Sequence, residues 1–494
     1  MLSNTMSLAS HSMYADKDDL RTQFAAAMSA MYRAEVPLYG DLIEIVRNIN
    51  TNVKDVTGSI KPHLNSGIHA SIERLTQERH GAIRLGTPYE LRTVKRIFEA
   101  LGMHPIGYYD LSIAGLPMHA TCFRPLTVSS LECNPFRIFT TLLRPELLSS
   151  EKTRQLALQL LERRSIFSEQ LLRTLDQIDE QGSRLKEDQT EVFIHEALKT
   201  FQWQPVAAAT FDEYQTLKAE HPILADIACF QSAHINHLTP RTLDIVAVQD
   251  AMKKAGMAAK EQIEGPPVRL CPILLRQTSF LALEEAVQFR RDENQSLDEI
   301  ESRDALVKAS HKARFGEIEQ RGAAVTPKGR KLYDKLLYES KAKAKDTAGE
   351  EADALAAEAF KAYPDTWDEL RQQNLIYCEF KVKEPTTTPS FDVQDGSVLE
   401  QLISKGIVEA VPITYEDFLP LSAAGIFQSN LQSSNSSSLA TSYQPAEDLG
   451  GLEKAMGAEI LDLNSWYMSV QQRSLEEVGV RLGLMLEELS PANV

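Results

Sequence analysis

The chain has 494 residues, 43% hydrophobic and 24% charged, a composition suited to a soluble globular protein with ample material for a large core. Its 69 acidic against 52 basic side chains leave a net charge of −17 without a segregated basic patch, which argues against nucleic-acid binding because the phosphate backbone would be repelled. The five cysteines (Cys122, Cys133, Cys229, Cys271, Cys378) make neither a C-x-x-C pair nor a disulfide framework, and no apolar run reaches the roughly 18 residues of a membrane span; a reducing, cytoplasmic setting with no membrane partner is expected.

Residues 1–14 read as a disordered tail, with no Lys or Arg before Lys17 to make a targeting segment. Leu20, Phe24, Met28, Met31 and Tyr32 then recur at helical spacing, Pro37 interrupts, and Leu42, Ile45, Val46 and Ile49 continue as a second helix. ERHGAIRLGTP, Glu78 to Pro88, reads as a short strand followed by a helix start. On a strand, His80, Ala82 and Arg84 share one face, with the Cα atoms of His80 and Arg84 roughly 13 Å apart at about 3.3 Å per residue. Thr87 as N-cap, Pro88 at the first helical position and Glu90 as the capping-box partner open a helix that Gly102 stops. IGYYDLS and PMHATCFRP follow as two strands.

Residues 126–220 read as a helical insertion, with His195 a packing or surface residue inside one of its helices. ILADIACF reads as a strand and IVAVQDAMKKAG as a helix ended by Gly256; RLCPILLRQTSF and RFGEIEQRG read as strands, a weak echo of the order seen in 79–125. The charged run RRDENQSLDEIESRDALVKASHK reads as an exposed insertion. Thr326 and Pro327 open another helix, EEADALAAEAFKAY is a second, and NLIYCEFKV and IVEAVPI are strands around the short helix LEQLISKG. The expected organisation is one domain over 15–430, with a β-rich core at about 79–125 and 222–325 and a substrate-side strand and loop at 374–431. A mobile linker over 432–446 and C-terminal helices over 447–494 complete it.

H-E-x-x-H, G-x-S-x-G, P-loop and G-x-G-x-x-G signatures are absent from the sequence, so zinc-protease, hydrolase, nucleotide and dinucleotide readings lack support. What remains is His80, one histidine of HINHLTPRTLD (His234 or His237, which face opposite sides of a strand) and a carboxylate of RFGEIEQRG (Glu317 or Glu319). Two histidines and a carboxylate bind Fe(II) on one face of its octahedron and leave three positions for a bidentate 2-oxo acid and O2. These residues alone leave the choice open. His80 could be an ordinary core histidine, Arg84 could pair with an acidic neighbour, and Glu319 could pair with Arg321. Tyr108, Tyr109, His119 and Gln277 are further candidates for the walls of a site.

The strings ERHGAIRLGT, GYYDLS, NPFR-F-T-LLR, HINHLTPRTLD, GPP-R--PILLRQTSF, ARFGEIEQRG, VTPKGRKLYD and ITYEDFLP-SAAGIFQSNL resemble the 2-oxoadipate dioxygenase/decarboxylase family over most of residues 20–431. That resemblance implies an α+β fold, a β half-barrel core like that of the vicinal oxygen chelate proteins, with large helical insertions. It implies Fe(II) ligated by His80, His237 and Glu317, Arg84 holding a substrate carboxylate, and Leu421 and Ser422 on the substrate side; the family pattern often has Val where this chain has Leu421. The activity implied is conversion of 2-oxoadipate and O2 to 2-hydroxyglutarate and CO2 in lysine catabolism, with oligomerisation open. The alternatives are a non-redox metal-dependent isomerase or lyase on the same scaffold, and a metal-free binding protein.

Overall fold

Twelve strands organise the computed structural model, which describes residues 13–57, 75–291, 306–344, 347, 349–383, 397–419 and 447–489. In chain order they are β1 (Glu78–Leu85), β2 (His104–Asp110), β3 (Met118–Arg124), β4 (Arg137–Leu143), β5 (Val206–Thr210) and β6 (His237–Pro240), followed by β7 (Leu275–Ser279), β8 (Glu284–Arg290), β9 (Val307–Lys312), β10 (Phe315–Arg321), β11 (Cys378–Val382) and β12 (Val408–Pro412). Seven of them form one curled half-barrel sheet in the order β2-β3-β4-β1-β6-β10-β7. β5, β8 and β9 make a three-stranded sheet, and β11 pairs antiparallel with β12.

The expected α+β half-barrel core is what the chain adopts. β1 lies at its centre, parallel to β4 on one side and antiparallel to β6 on the other, and all eight of its residues are buried. Burial on both faces is what a mid-sheet strand with covered faces requires. Ile83 and Leu85 pack with Leu20, Phe24 and Met28 of the N-terminal helix Lys17–Glu35, whereas Ala82 belongs to a second core with Tyr109 and Phe139. The sheet therefore separates two apolar cores, and the face bearing His80, Ala82 and Arg84 looks into the second. Tyr32 of the N-terminal helix pins the other side: its hydroxyl lies 2.8 Å from the carbonyl of Phe315 and 3.0 Å from that of Asn236, where β6 meets β10.

After β1 the Thr87 capping box is present with Glu90, and the helix Pro88–Ala100 follows as the sequence predicts. Four other expectations change. Residues 126–220 are mainly helical but include β5 and the interior strand β4, whose RIFTTLL is buried throughout and so lacks the alternation that marks a half-exposed strand. ILADIACF is not a strand: Pro222–Ala228 is a helix, opened by His221 accepting from the Ile223 N–H and by Pro222 at the first turn. It is buried on all sides, which erases the helical period. The charged run after β8 resolves at its end into β9, antiparallel to β8, while 292–305 lie outside the described residues. In the expected tail, Tyr14 bridges to Lys186 and stacks under Arg184 at 3.9 Å; residues 1–12 lie outside the description, as do the 432–446 linker, Leu421 and Ser422.

The C-terminal helices are present at Leu449–Met456, Leu463–Leu482 and Leu486–Leu489. Gln471 and Ser474 of the long helix accept from the backbone N–H groups of Cys378 and Phe380 at 2.8 and 3.0 Å, which covers β11 with side-chain acceptors.

Candidate active site

Three adjacent strands of the half-barrel bring the candidate donors together. On β1, His80 pairs in register with Thr239 of β6; Ala82 pairs with His237, and His237 in turn stands beside Phe315 of β10. Alternation then aims His80, His237 and Glu317 at one volume. Their donor atoms all lie within 4.8 Å of one another and all three residues are buried; among the described residues this is the one such group of His, Cys, Asp or Glu side chains.

Close approach of the strands depends on glycine. A Cβ at Gly81 would stand 2.7 Å from Ile235 Cδ1 and 3.2 Å from the His237 carbonyl, and one at Gly316 would stand 2.4 Å from Phe280 Cε1. These glycines flank His80 and Glu317 and let the backbones meet on the face opposite the site.

The imidazole of His80 is bracketed. Nε2 lies 2.9 Å from Glu317 Oε1 and 3.1 Å from Thr239 Oγ1, and Thr239 Oγ1 also lies 3.2 Å from Glu317 Oε1. On the other edge, Nδ1 lies 2.9 Å from Glu319 Oε2. Glu319 is fully buried and accepts from Arg321 at both oxygens, Nε at 2.6 Å and Nη2 at 2.8 Å. Burial alone would raise the Glu319 carboxyl; Arg321 and the His80 hydrogen bond outweigh it and hold the group well below the usual carboxylate range. His237 is held well below the ordinary imidazole value by burial, reinforced by His80, Arg84 and Lys260, so it presents a neutral ring, the form that ligates metals. The ring of Phe418 stands edge-on to His80 at 4.8 Å and Phe315 stacks on His237 at 4.7 Å, giving the cluster apolar walls.

Arg84 occupies the same strand face as His80, and the acidic neighbour is real: its Nη1 donates to Asp226 Oδ2 at 2.5 Å. Asp226 is a hub on the helix Pro222–Ala228. Its Oδ1 lies 2.8 Å from His311 Nε2 and 3.2 Å from His234 Nε2, so His234 joins this second cluster and not the first. Burial would raise the Asp226 carboxyl, but Arg84 and His234 hold it well below its ordinary value. Gln277 lies opposite Glu319 in register, buried, with Oε1 lacking a hydrogen-bond partner among the described residues. Tyr109 instead closes the wall, accepting the Phe418 N–H at 3.2 Å, and Tyr108 accepts the Asp448 N–H at 2.7 Å; His119, edge-on to Tyr108, is lowered to about 4 chiefly by burial.

Sequence reasoning missed Thr239, Asp226 and Phe418. Asp226 left a signal, being the one charge in an eight-residue apolar run; a carboxylate there must find buried partners.

The set fits a divalent metal with open positions. Two imidazoles and a carboxylate converge, His80 Nδ1 is engaged by a carboxylate so that Nε2 faces inward, and two aromatic rings stand against the imidazoles.

A family profile described as 2-oxoadipate dioxygenase/decarboxylase matches residues 24–430. A Shigella flexneri protein with that name is 43% identical over 468 residues, 94% of this chain and 98% of its own. A Pseudomonas putida protein with the same name is 43% identical over 478 residues, covering 95% and 98%. The crystal structure of the hydroxyglutarate synthase from Pseudomonas putida in complex with 2-oxoadipate is similar at a TM-score of 0.82 and 42% identity, covering 96% of this chain and all of that one, 100%.

Proposed function

The chain belongs to the 2-oxoadipate dioxygenase/decarboxylase family, and from that membership we propose that it converts 2-oxoadipate and O2 to 2-hydroxyglutarate and CO2 using Fe(II) held by His80, His237 and Glu317. The single observation that carries the metal reading is the convergence of those three buried donors within 4.8 Å. Fe(II) would supply the electrons that dioxygen needs, which redox-inert zinc cannot.

The protein's own residues bind, orient and enclose. Arg84 lies on the face of β1 that carries His80, and in this reading its guanidinium would meet the distal carboxylate of a 2-oxo dicarboxylic acid whose 2-oxo acid end lies at the three donors. Charge-assisted hydrogen bonds from a guanidinium give both affinity and orientation. Phe418 and Phe315, packed against the two imidazoles, would give the reacting end apolar walls. Leu421 and Ser422 continue directly from the segment bearing Phe418, and we assign them to the substrate side on the family resemblance. The substrate is its own 2-oxo acid: one carbon leaves as CO2, one oxygen of O2 enters the new carboxylate and the other becomes the 2-hydroxyl. Atoms balance without a second 2-oxo acid.

The proposal extends to lysine catabolism, and to a cytoplasmic location in keeping with five free cysteines; no described helix is long and apolar enough to cross a membrane. An oxygen-electrode assay with 2-oxoadipate, with and without ferrous iron, tests the reading. About one O2 per 2-oxoadipate is expected. Anaerobic turnover, or an absolute need for added 2-oxoglutarate, would overturn it in favour of an isomerase or lyase or of a different oxygenase.

A further inference from the structure

We propose that Glu319 is the positioning residue that sets His80 for metal binding, an inference that rests on reading His80, His237 and Glu317 as the ligands. His80 lies between two carboxylates, with Nε2 at 2.9 Å from Glu317 Oε1 and Nδ1 at 2.9 Å from Glu319 Oε2. A carboxylate only accepts, and a ring nitrogen that meets a metal carries no hydrogen, so a metal-bound His80 keeps its one N–H for one carboxylate or the other. When it faces Glu319, the Nε2 lone pair is directed inward beside Glu317 and His237. When it faces Glu317, two of the three donors are tied to each other and cannot both meet a metal.

Glu319 itself is over-determined. Arg321 donates to both its oxygens at 2.6 and 2.8 Å, and Arg321 Nη1 is anchored to the carbonyls of Tyr415 and Asp417 at 3.0 and 2.8 Å. Arg79 Nε approaches Glu319 Oε1 at 3.4 Å, made possible by the register shift between Glu78 and His80 that brings neighbouring β1 side chains to the same carboxylate. Engagement of both oxygens by Arg321 marks Glu319 as a support and not a ligand. A glutamine there could not serve as well. Its one oxygen can meet His80 or the Arg321 Nε, and its NH2 opposes a donor in either orientation.

The test is metal affinity, measured on the full chain without turnover. Metal-free wild type, Glu319→Gln and Glu319→Asp are titrated anaerobically with Fe(II) against a chromogenic chelator, with thermal midpoints of the metal-free proteins recorded in parallel. Loss of such a supporting carboxylate typically weakens metal binding about 10–100-fold. Glu319→Gln is expected to bind in that range below wild type, still one metal per chain, with its metal-free midpoint lowered because buried Arg321 loses its charged partner, so the titrations are run well below every variant's midpoint; Glu319→Asp, which keeps two acceptors and the charge, is expected to lie between in affinity. Wild-type affinity in both variants would overturn the proposal. So would loss of all binding in Glu319→Gln together with full binding in Glu317→Gln, which would make Glu319 the ligand. A wild type that takes up no Fe(II) would refute the metal reading of the site itself and this inference with it, a result distinct from either.

Discussion

Replacing Arg84 by Ala should act twice, and the structure separates the two effects. The first is on stability. Asp226 is buried and paired with Arg84 at 2.5 Å, so truncation leaves a carboxylate whose remaining side-chain partners among the described residues are His234 and His311. Removing one partner of a buried pair costs about 3–5 kcal/mol. The second is on the substrate: losing a buried contact to the distal carboxylate should cost about 2–5 kcal/mol, roughly 30- to 5,000-fold in kcat/KM at about 1.36 kcal/mol per tenfold. Adding Asp226→Asn should restore much of the stability by removing the orphaned charge, without restoring turnover. The assay is denaturant unfolding beside oxygen consumption, run with 2-oxoadipate and with 2-oxohexanoate, which lacks the distal carboxylate. Activity on 2-oxohexanoate should change little once stability is recovered. An equal proportional loss on both substrates would refute the reasoning and leave Arg84 as a support for β1 through Asp226. Arg84→Lys keeps charge without the fork and should raise KM, less severely than Ala.

Alanine at His80, His237 or Glu317 should abolish Fe(II) uptake and turnover with the fold retained, as followed by metal analysis and circular dichroism; activity surviving in Glu317→Ala would refute that ligand. Gly81→Ala places a methyl 2.7 Å from Ile235 Cδ1 and should destabilise by about 1–3 kcal/mol in chemical denaturation while loosening the site; a neutral result would mean that β1 and β6 can separate freely. Acid should unfold the protein through Asp226 and Glu416. Burial would raise both carboxyls, but Arg84 holds Asp226 down and Arg79 and Arg137 hold Glu416 down. Depressed folded values give stability that is present above about pH 4 and lost as pH falls through the folded values. Unfolding free energy should therefore decline with falling pH, and less steeply in Asp226→Asn.

What could be read from residues alone was local. ERHGAIRLGTP carries its own strand face, cap and helix start, and the structure has all three. β4 and the helix Pro222–Ala228 were illegible for one shared reason: both are buried on every side, so neither alternation nor a helical period survives in RIFTTLL or PILADIA. The choice between Glu317 and Glu319 was illegible for another. A spacing of two puts both on the same strand face, and only the position of Arg321, which engages both Glu319 oxygens, separates their surroundings. His234 and His237 were separable by strand alternation in principle, yet which one faces the site depended on the pairing of His237 with Ala82.

The same logic gives the C-terminal helix a place in the site, though it lies beyond the 24–430 family match. Tyr467 donates to Asp417 Oδ2 at 2.6 Å and accepts the Glu416 N–H at 2.7 Å. Asp417 in turn takes a fork from Arg124, at 2.8 and 3.1 Å, and Glu416 pairs with Arg79 and Arg137. Each arginine comes from a strand of the half-barrel, and each carboxylate from the short segment that also carries Phe418 to His80. Buried ion pairs are weak sources of net stability, because desolvation cancels much of their attraction, but they are demanding in geometry. Arranged this way they fix one backbone segment against three strands, so that Arg321 finds the carbonyls of Tyr415 and Asp417 and the Phe418 ring meets His80 edge-on. The long C-terminal helix is thus joined to the sheet face that bears His80 by a continuous path of hydrogen bonds, from Tyr467 through Asp417 and Arg321 to Glu319 and His80.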